Sequence, residues 1–208
     1  VDLTLYLVRH GQCYANIELL LTGQLDSPLT DLGILQALAI GERLAGEPVS
    51  DVYASDLSRA FVTGEHIARR HGLQPIPSPL LRECSMGVVT GMTLPEFEAR
   101  FPEEYRLWRE DGLNHRPPGG ERFAHIIART KIWLDQIVAG SSHGETIVSV
   151  SHAGTIAALL CAALNLPEAA FVVFDTDNAS LSRLRYNGRW SVDLLNDTSH
   201  LGGLTVSR

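Results

Sequence analysis

The chain has 208 residues, 45% of them hydrophobic and 20% charged, the profile of a globular protein whose core needs no disulfides. Its net charge of −7 argues against nucleic acid or an anionic membrane as the main partner. No apolar run reaches the length of a membrane span.

Val1-Asp2-Leu3-Thr4 leads straight into an apolar pattern with no basic region or cleavage site, so no signal peptide is expected. Leu3–Val8 reads as a buried strand ended by Arg9-His10-Gly11. Thr30–Gly46 has the apolar spacing of a helix, with Thr30 as N-cap and Gly46 as stop. Asp51–Ser55 is a second strand, Leu57–His71 a helix closed by Gly72, and 72–79 holds a brief strand before a proline turn. From Glu83 to Gly120 the pattern turns irregular, with a capping box at Thr93-Leu94-Pro95-Glu96. Glu121–Val138 is an amphipathic helix. Thr146–Val150 is a third strand, followed by Ser151-His152-Ala153-Gly154 and a helix to about Leu164. Asn187-Gly188, between the alternating runs 179–186 and 189–194, signals a hairpin.

This order predicts one α/β domain spanning 1–208, a three-layer α/β/α sandwich whose sheet is mostly parallel with an antiparallel edge. Residues 84–120 are expected to form a cap-like insertion. Cys13, Cys84 and Cys161 are odd in number, widely spaced and outside any zinc pattern, so a reducing cytoplasm is the expected compartment. Nothing requires an oligomer, although the hairpin edge offers a place for a homodimer to pair.

Three polar motifs follow three strands: Arg9-His10-Gly11, Ser55-Asp56-Leu57-Ser58-Arg59-Ala60 and Ser151-His152-Ala153-Gly154. Ligands of open parallel sheets bind beyond the carboxyl ends of the strands. Two of these motifs also open helices, where free N–H groups attract anions. Arg9 and Arg59 offer planar donor forks that match phosphate oxygens. An imidazole that is neutral near pH 7 can attack phosphorus. The set calls for no metal and no cofactor.

These residues resemble the histidine phosphatase (phosphoglycerate mutase-like) superfamily over most of the chain. The matching pieces are Arg9-His10-Gly11 with Asn16, Thr22-Gly23-Gln24, Asp26-Ser27-Pro28-Leu29-Thr30 with Gly33 and Gln36-Ala37, and Ser55-Asp56-Leu57 with Arg59-Ala60 and Thr63. Leu81-Arg82-Glu83 with Gly87 and Gly91, Pro118-Gly119-Gly120-Glu121 and Ser151-His152 complete the order. The resemblance implies that His10 is the nucleophile and Glu83 the proton donor to the leaving alcohol. It implies that Arg9, Arg59 and His152 bind the phosphoryl oxygens, with Gly11, Asn16, Thr22, Gly23 and the Ala153 amide bordering the same pocket. The implied activity is hydrolysis of small phosphorylated metabolites, with inorganic phosphate as product. It is closest to the broad-specificity phosphatase branch.

The chain departs from the family pattern at Cys13, where threonine is common, at Val89-Thr90-Gly91, and at Ala153, where glycine is usual. A cofactor-dependent phosphoglycerate mutase is the alternative; the stretch after the acid, Cys84-Ser85-Met86-Gly87, lacks that group's added cation. A non-catalytic phospho-ligand module ranks last, because both His10 and Glu83 are present. Cys13 reads as a small packing residue rather than a redox switch. His66, His71, His115, His125 and His143 read as surface or structural; His115 alone lies in the cap-like segment, where contact with substrate is the lesser alternative. Met86, Val88, Val89, Met92, Phe97, Phe101, Tyr105 and Trp108 are expected to divide between core and pocket wall, and 196–201 between a flap over the cleft and a surface tail.

Overall fold

The structure, a computed structural model, describes residues 1–205. Its centre is a sheet in the order β3-β2-β4-β1-β5-β6, with β1 Leu3–Arg9, β2 Val49–Ala54, β3 Ile76–Pro77, β4 Glu145–Ser151, β5 Leu181–Tyr186 and β6 Trp190–Asp197. β1 through β4 pair in parallel. β5 is antiparallel to both β1 and β6. The expected antiparallel edge is therefore a hairpin: β5 alone runs against the others, and the outermost strand β6 points with β1. Gly188, at φ +97°, makes the hairpin's turn.

Alternation along β1 divides the core into two layers. Leu3, Leu5 and Leu7 pack with Trp133, Leu134 and Ile137 of α6 (Phe123–Gly140) and with Ile156, Leu159 and Leu160 of α7 (Ala153–Leu164). Tyr6 and Val8 face the other way, onto Ile40 and Leu44 of α2 (Asp31–Leu44) and Ile67 of α3 (Ser58–Arg70). Each such side chain, fully buried, contributes roughly 1.5–3 kcal/mol. A short helix, α1 (Tyr14–Ile17), lies between β1 and α2.

Element ends shift where side chains intervene. Thr30 caps α2 by accepting from the Gly33 amide at 3.0 Å. The helix ends at Leu44, before Gly46, because Glu47 N already donates to Leu44 O in a tight turn. α6 starts at Phe123 rather than Glu121, whose amide donates to Ser85 O and whose carboxylate accepts from Arg129.

Residues 84–120 leave and rejoin the body side by side, through a Met86–Gly120 bridge. They carry α4 (Leu94–Arg100), opened by the Thr93–Glu96 capping box, and α5 (Pro102–Glu110). Phe97 is the hub of a small apolar cluster, with Tyr105 edge-on at 5.3 Å and Trp108 at 5.8 Å. Met86, Val89, Met92 and Phe101 join it, while Val88 is exposed. Ser199–Leu204 is no loose tail, and Thr198, Leu201 and Thr205 line a second pocket together with Arg9 and Asn16. Leu201 is buried against the α2–α3 layer, and Gln36 Nε2 donates to Leu204 O at 2.8 Å. Residues 206–208 lie outside the described residues. Among the described residues, no helix is long and apolar enough to cross a membrane.

Candidate active site

The strands that precede the three polar motifs, β2, β4 and β1, are neighbours in the middle of the sheet and all run one way. Their carboxyl ends therefore meet at one rim. A cleft of about 350 Å³ opens there, lined by Arg9, His10, Asn16, Thr22, Gly23, Arg59, Glu83 and Ala153, with Met86, Trp108 and Arg116 from the 84–120 excursion.

His10 and His152 meet edge-on, with ring centroids 5.1 Å apart. His10 Nδ1 lies 2.7 Å from Gly11 O, an acceptor, so Nδ1 carries the proton and Nε2 keeps its lone pair. His152 Nε2 lies 2.9 Å from Ser55 Oγ, and its buried Nδ1 has no hydrogen-bond partner among the described residues. Burial, then the charges of Arg59 and Arg9, holds the pKa of His10 well below the ordinary histidine value. Burial does the same for His152, followed by the influence of His10 and the arginines. Both rings are thus neutral near pH 7.

Arg59 is nearly fully buried in the first turn of α3 and donates to Gly23 O and Leu25 O, each at 2.9 Å. Asp26 ties the same loop to α3 by accepting from the Ser58 amide and hydroxyl. One helix terminus thereby fixes both a guanidinium and the Thr22–Gly23 wall. Arg9 is held by the Thr176 carbonyl, to which Nη1 donates. Asn16 accepts at Oδ1 from the Cys13 amide and from Asn178 Nδ2, which also reaches His10 O.

Glu83 lies against the N-terminus of α7. Its Oε1 accepts from the Cys84 amide at 2.7 Å and its Oε2 from the Gly154 amide at 3.1 Å. Arg129 braces the segment before it by donating to the carbonyls of Leu80, Arg82 and Glu83. Arg82 itself turns away into a two-pronged pair with Asp56.

Eight of the residues singled out in the sequence thus line one cleft, and His152 packs on His10 beneath it. Gly11 does not: its amide donates to Thr63 Oγ1 and its carbonyl holds His10, so it supports the His10 ring from behind. A Cβ on Gly33 would collide with the Gln12 carbonyl, which explains a glycine where α2 meets this loop. His115 pairs with Glu104 at 2.7 Å and does not line the cleft. Cys13 is buried, with Sγ donating to Asn16 Oδ1 at 3.3 Å. Among the described residues, no three His, Cys, Asp or Glu side chains gather as a metal site.

Sequence reasoning missed Ser55 and Gly154 as partners of His152 and Glu83, although both stand inside quoted motifs. It also missed Arg116. The stretch after Glu83 has no cation of its own, yet Arg116 returns from 32 positions away to lie against Cys84 and Met86.

The profile of the histidine phosphatase superfamily (branch 1) matches residues 5–198. The chain belongs to that family. It is 34% identical over 203 residues to "Phosphoserine phosphatase 1" of Hydrogenobacter thermophilus, covering 97% of this chain and 96% of that one. It is 33% identical over 209 residues to "Probable phosphoglycerate mutase GpmB" of Yersinia pestis, covering 96% and 95%. The solved mycobacterial glucosyl-3-phosphoglycerate phosphatase superposes with a TM-score of 0.85 at 32% identity, over 95% of this chain and all of that one. A complex of that enzyme with inorganic phosphate gives 0.82, also at 32% identity, over 95% and 98%.

Proposed function

We propose that this chain is a phosphatase that hydrolyses small phosphomonoesters in two steps, through a phosphohistidine on His10. The observation that carries the reading is the edge-on pair of buried, neutral imidazoles flanked by Arg9 and Arg59 at the floor of one cleft. The relatives' names, phosphoserine phosphatase and glucosyl-3-phosphoglycerate phosphatase, support a phosphorylated small molecule as substrate.

In the first step the guanidinium groups of Arg9 and Arg59 and the ring of His152 hold the phosphoryl oxygens and spread the charge of the transition state. His10 Nε2 forms a bond to phosphorus as the ester P–O bond breaks. The Gly11 carbonyl keeps Nδ1–H in place and favours the positive charge that develops on the ring. Glu83 passes a proton to the departing oxygen, and the alcohol leaves. In the second step the Glu83 carboxylate takes a proton from water while the water oxygen bonds to phosphorus. The N–P bond breaks, its electron pair returns to Nε2, and inorganic phosphate departs. Three free, buried cysteines fit the reducing cytoplasm in which we place the enzyme.

Turnover of p-nitrophenyl phosphate by His10→Ala tests the reading. A fall of roughly a thousandfold or more is expected, since only binding and charge stabilisation remain. Brief exposure of wild type to labelled substrate should leave acid-labile label on His10. Wild-type-like rates in the variant end the proposal. The mutase reading, favoured by the Yersinia relative's name, predicts interconversion of phosphoglycerates that depends on bisphosphoglycerate rather than release of phosphate.

A further inference from the structure

Arg116 lines the cleft and, among the described residues, forms no ion pair with an acid. Among the described residues its hydrogen-bond acceptors are two sulfurs, Cys84 Sγ at 3.4 Å and Met86 Sδ at 3.5 Å. The Phe123 ring covers it, 4.7 Å from the guanidinium carbon to the ring centroid, and Nε is buried without a partner. Burial pushes the Cys84 thiol up to about 12, so the neighbouring sulfur is a neutral thiol and not a counter-charge. Arg82 pairs with Asp56, Arg129 with Glu121, and Arg106 with Glu103 and Glu110, while Arg100, Arg109 and Arg122, which have no ion pair among the described residues, are exposed to solvent. A guanidinium set among sulfur and aromatic carbon is poorly compensated.

Its place in the cleft says what would compensate it. The phosphoryl end is already served by Arg9, Arg59 and the two imidazoles. Arg116 touches Cys84, the residue directly after Glu83, and so stands on the side where the alcohol departs. Trp108, Met86 and Leu21, which pack together, and Phe171, stacked on the Phe123 ring that covers Arg116, give the cleft apolar lining. A departing alcohol thus runs from the Glu83 carboxyl along an apolar wall to an uncompensated planar cation. A guanidinium fork matches a carboxylate in charge, shape and donor spacing.

We propose that Arg116 selects phosphomonoesters whose alcohol portion carries a carboxylate within a few bonds of the ester oxygen. The proposal rests on the phosphatase reading above and names the substrate class for that same cleft.

The matched pair 3-phosphoglycerate and glycerol 3-phosphate differs by a carboxylate in place of a hydroxymethyl group. Phosphate release gives kcat/KM for each. Wild type should favour the carboxylate by about tenfold or more, the scale of one well-placed charged hydrogen-bonded contact. Arg116→Met should bring the ratio to within about twofold of unity, and Arg116→Lys should keep part of the preference, since charge persists without the fork. A ratio is read from whatever activity a variant retains, and the wild-type ratio needs no variant. The proposal is overturned if wild type shows no preference, if Arg116→Met keeps the wild-type ratio, or if both substrates fall alike. Wild type that turns over p-nitrophenyl phosphate through His10 but ignores the carboxylate sinks this inference alone. Loss of His10 dependence sinks the phosphatase reading itself.

Discussion

Replacing Gly154 with alanine isolates how Glu83 is held. A Cβ built on Gly154 stands 2.5 Å from Glu83 Oε1, whereas ordinary contact begins near 3.4 Å. The carboxylate must retreat by about 0.9 Å. It is the end of a flexible side chain, so the backbone need not move. The retreat weakens the bonds from the Gly154 and Cys84 amides. Loss of one charged hydrogen bond costs about 1.5–3 kcal/mol. Alanine in place of glycine in a helix returns up to ~1 kcal/mol. The net cost is about 0.5–3 kcal/mol, or roughly 1–12 °C in Tm for a chain of this size. Catalysis should suffer more, because a misplacement of about 1 Å in a reacting group costs on the order of a hundredfold. An alkyl phosphate needs its leaving oxygen protonated, whereas p-nitrophenolate departs with little help. Values of kcat/KM, which report the chemistry through alcohol release, should therefore fall much further for the alkyl substrate. Equal losses on both substrates, or an alkyl kcat/KM within about threefold of wild type, would refute the placement of Glu83 as the proton donor.

Ser55→Ala removes the hydroxyl 2.9 Å from His152 Nε2 and leaves that ring unheld in a fully buried place. Urea denaturation should show a loss of about 1–3 kcal/mol and kcat a fall of roughly tenfold or more; unchanged kinetics would remove His152 from the phosphoryl site. The lowered pKa values of His10 and His152 also fix a sign for the pH dependence of stability. Above the unfolded histidine value of about 6.5 neither state binds the proton; below it the unfolded chain binds protons that the folded rings refuse. Stability is therefore complete above that pH and falls as acid is added, by up to about 1.4 kcal/mol per pH unit for each histidine kept neutral. His66, His71 and His200 add in the same direction. Denaturation of the ligand-free enzyme from pH 7.5 to 5 should show the slope, and His10→Gln should reduce it. A flat profile would mean that the rings are not desolvated.

What the sequence reveals and what it conceals divide along a physical line. Arg9, His10, Arg59 and His152 were legible because each lies at or just beyond the end of a strand whose apolar run is plain. Parallel pairing of β2, β4 and β1 then brings three strand ends to one rim. Local rules also located Thr30 and Thr93 as caps and Asn187-Gly188 as a turn, since each acts within four residues of itself. Gly154 was quoted but left without a role because its constraint comes from Glu83, 71 positions away. The start of α6 moved for the same kind of reason: Ser85 and Arg129 claim Glu121. Gly11 erred in the opposite sense. The resemblance placed it on the border of the phosphate pocket, and only the fold shows its amide spent on Thr63.

The charge distribution joins these pieces. A chain of net charge −7 should repel a phosphate, so an anion site must concentrate cations where the bulk field does not reach. The excursion over the cleft illustrates the sorting. Its exposed acids Glu103 and Glu110 are tied to Arg106, and Glu104 faces His115, all away from the cleft lining. Arg9, Arg59 and Arg116 remain on the inside. Two of these cations do more than attract. By lowering the proton affinity of His10 they keep its lone pair free until a phosphate arrives, and the arriving negative charge then offsets them. In the proposed mechanism His10 is thereby ready before phosphate binds and tolerates positive charge once it is bound. Replacing either arginine by a neutral residue should weaken phosphate binding and also allow the imidazole to protonate. The loss should grow as the pH falls, which a merely steric role for the arginines would not produce.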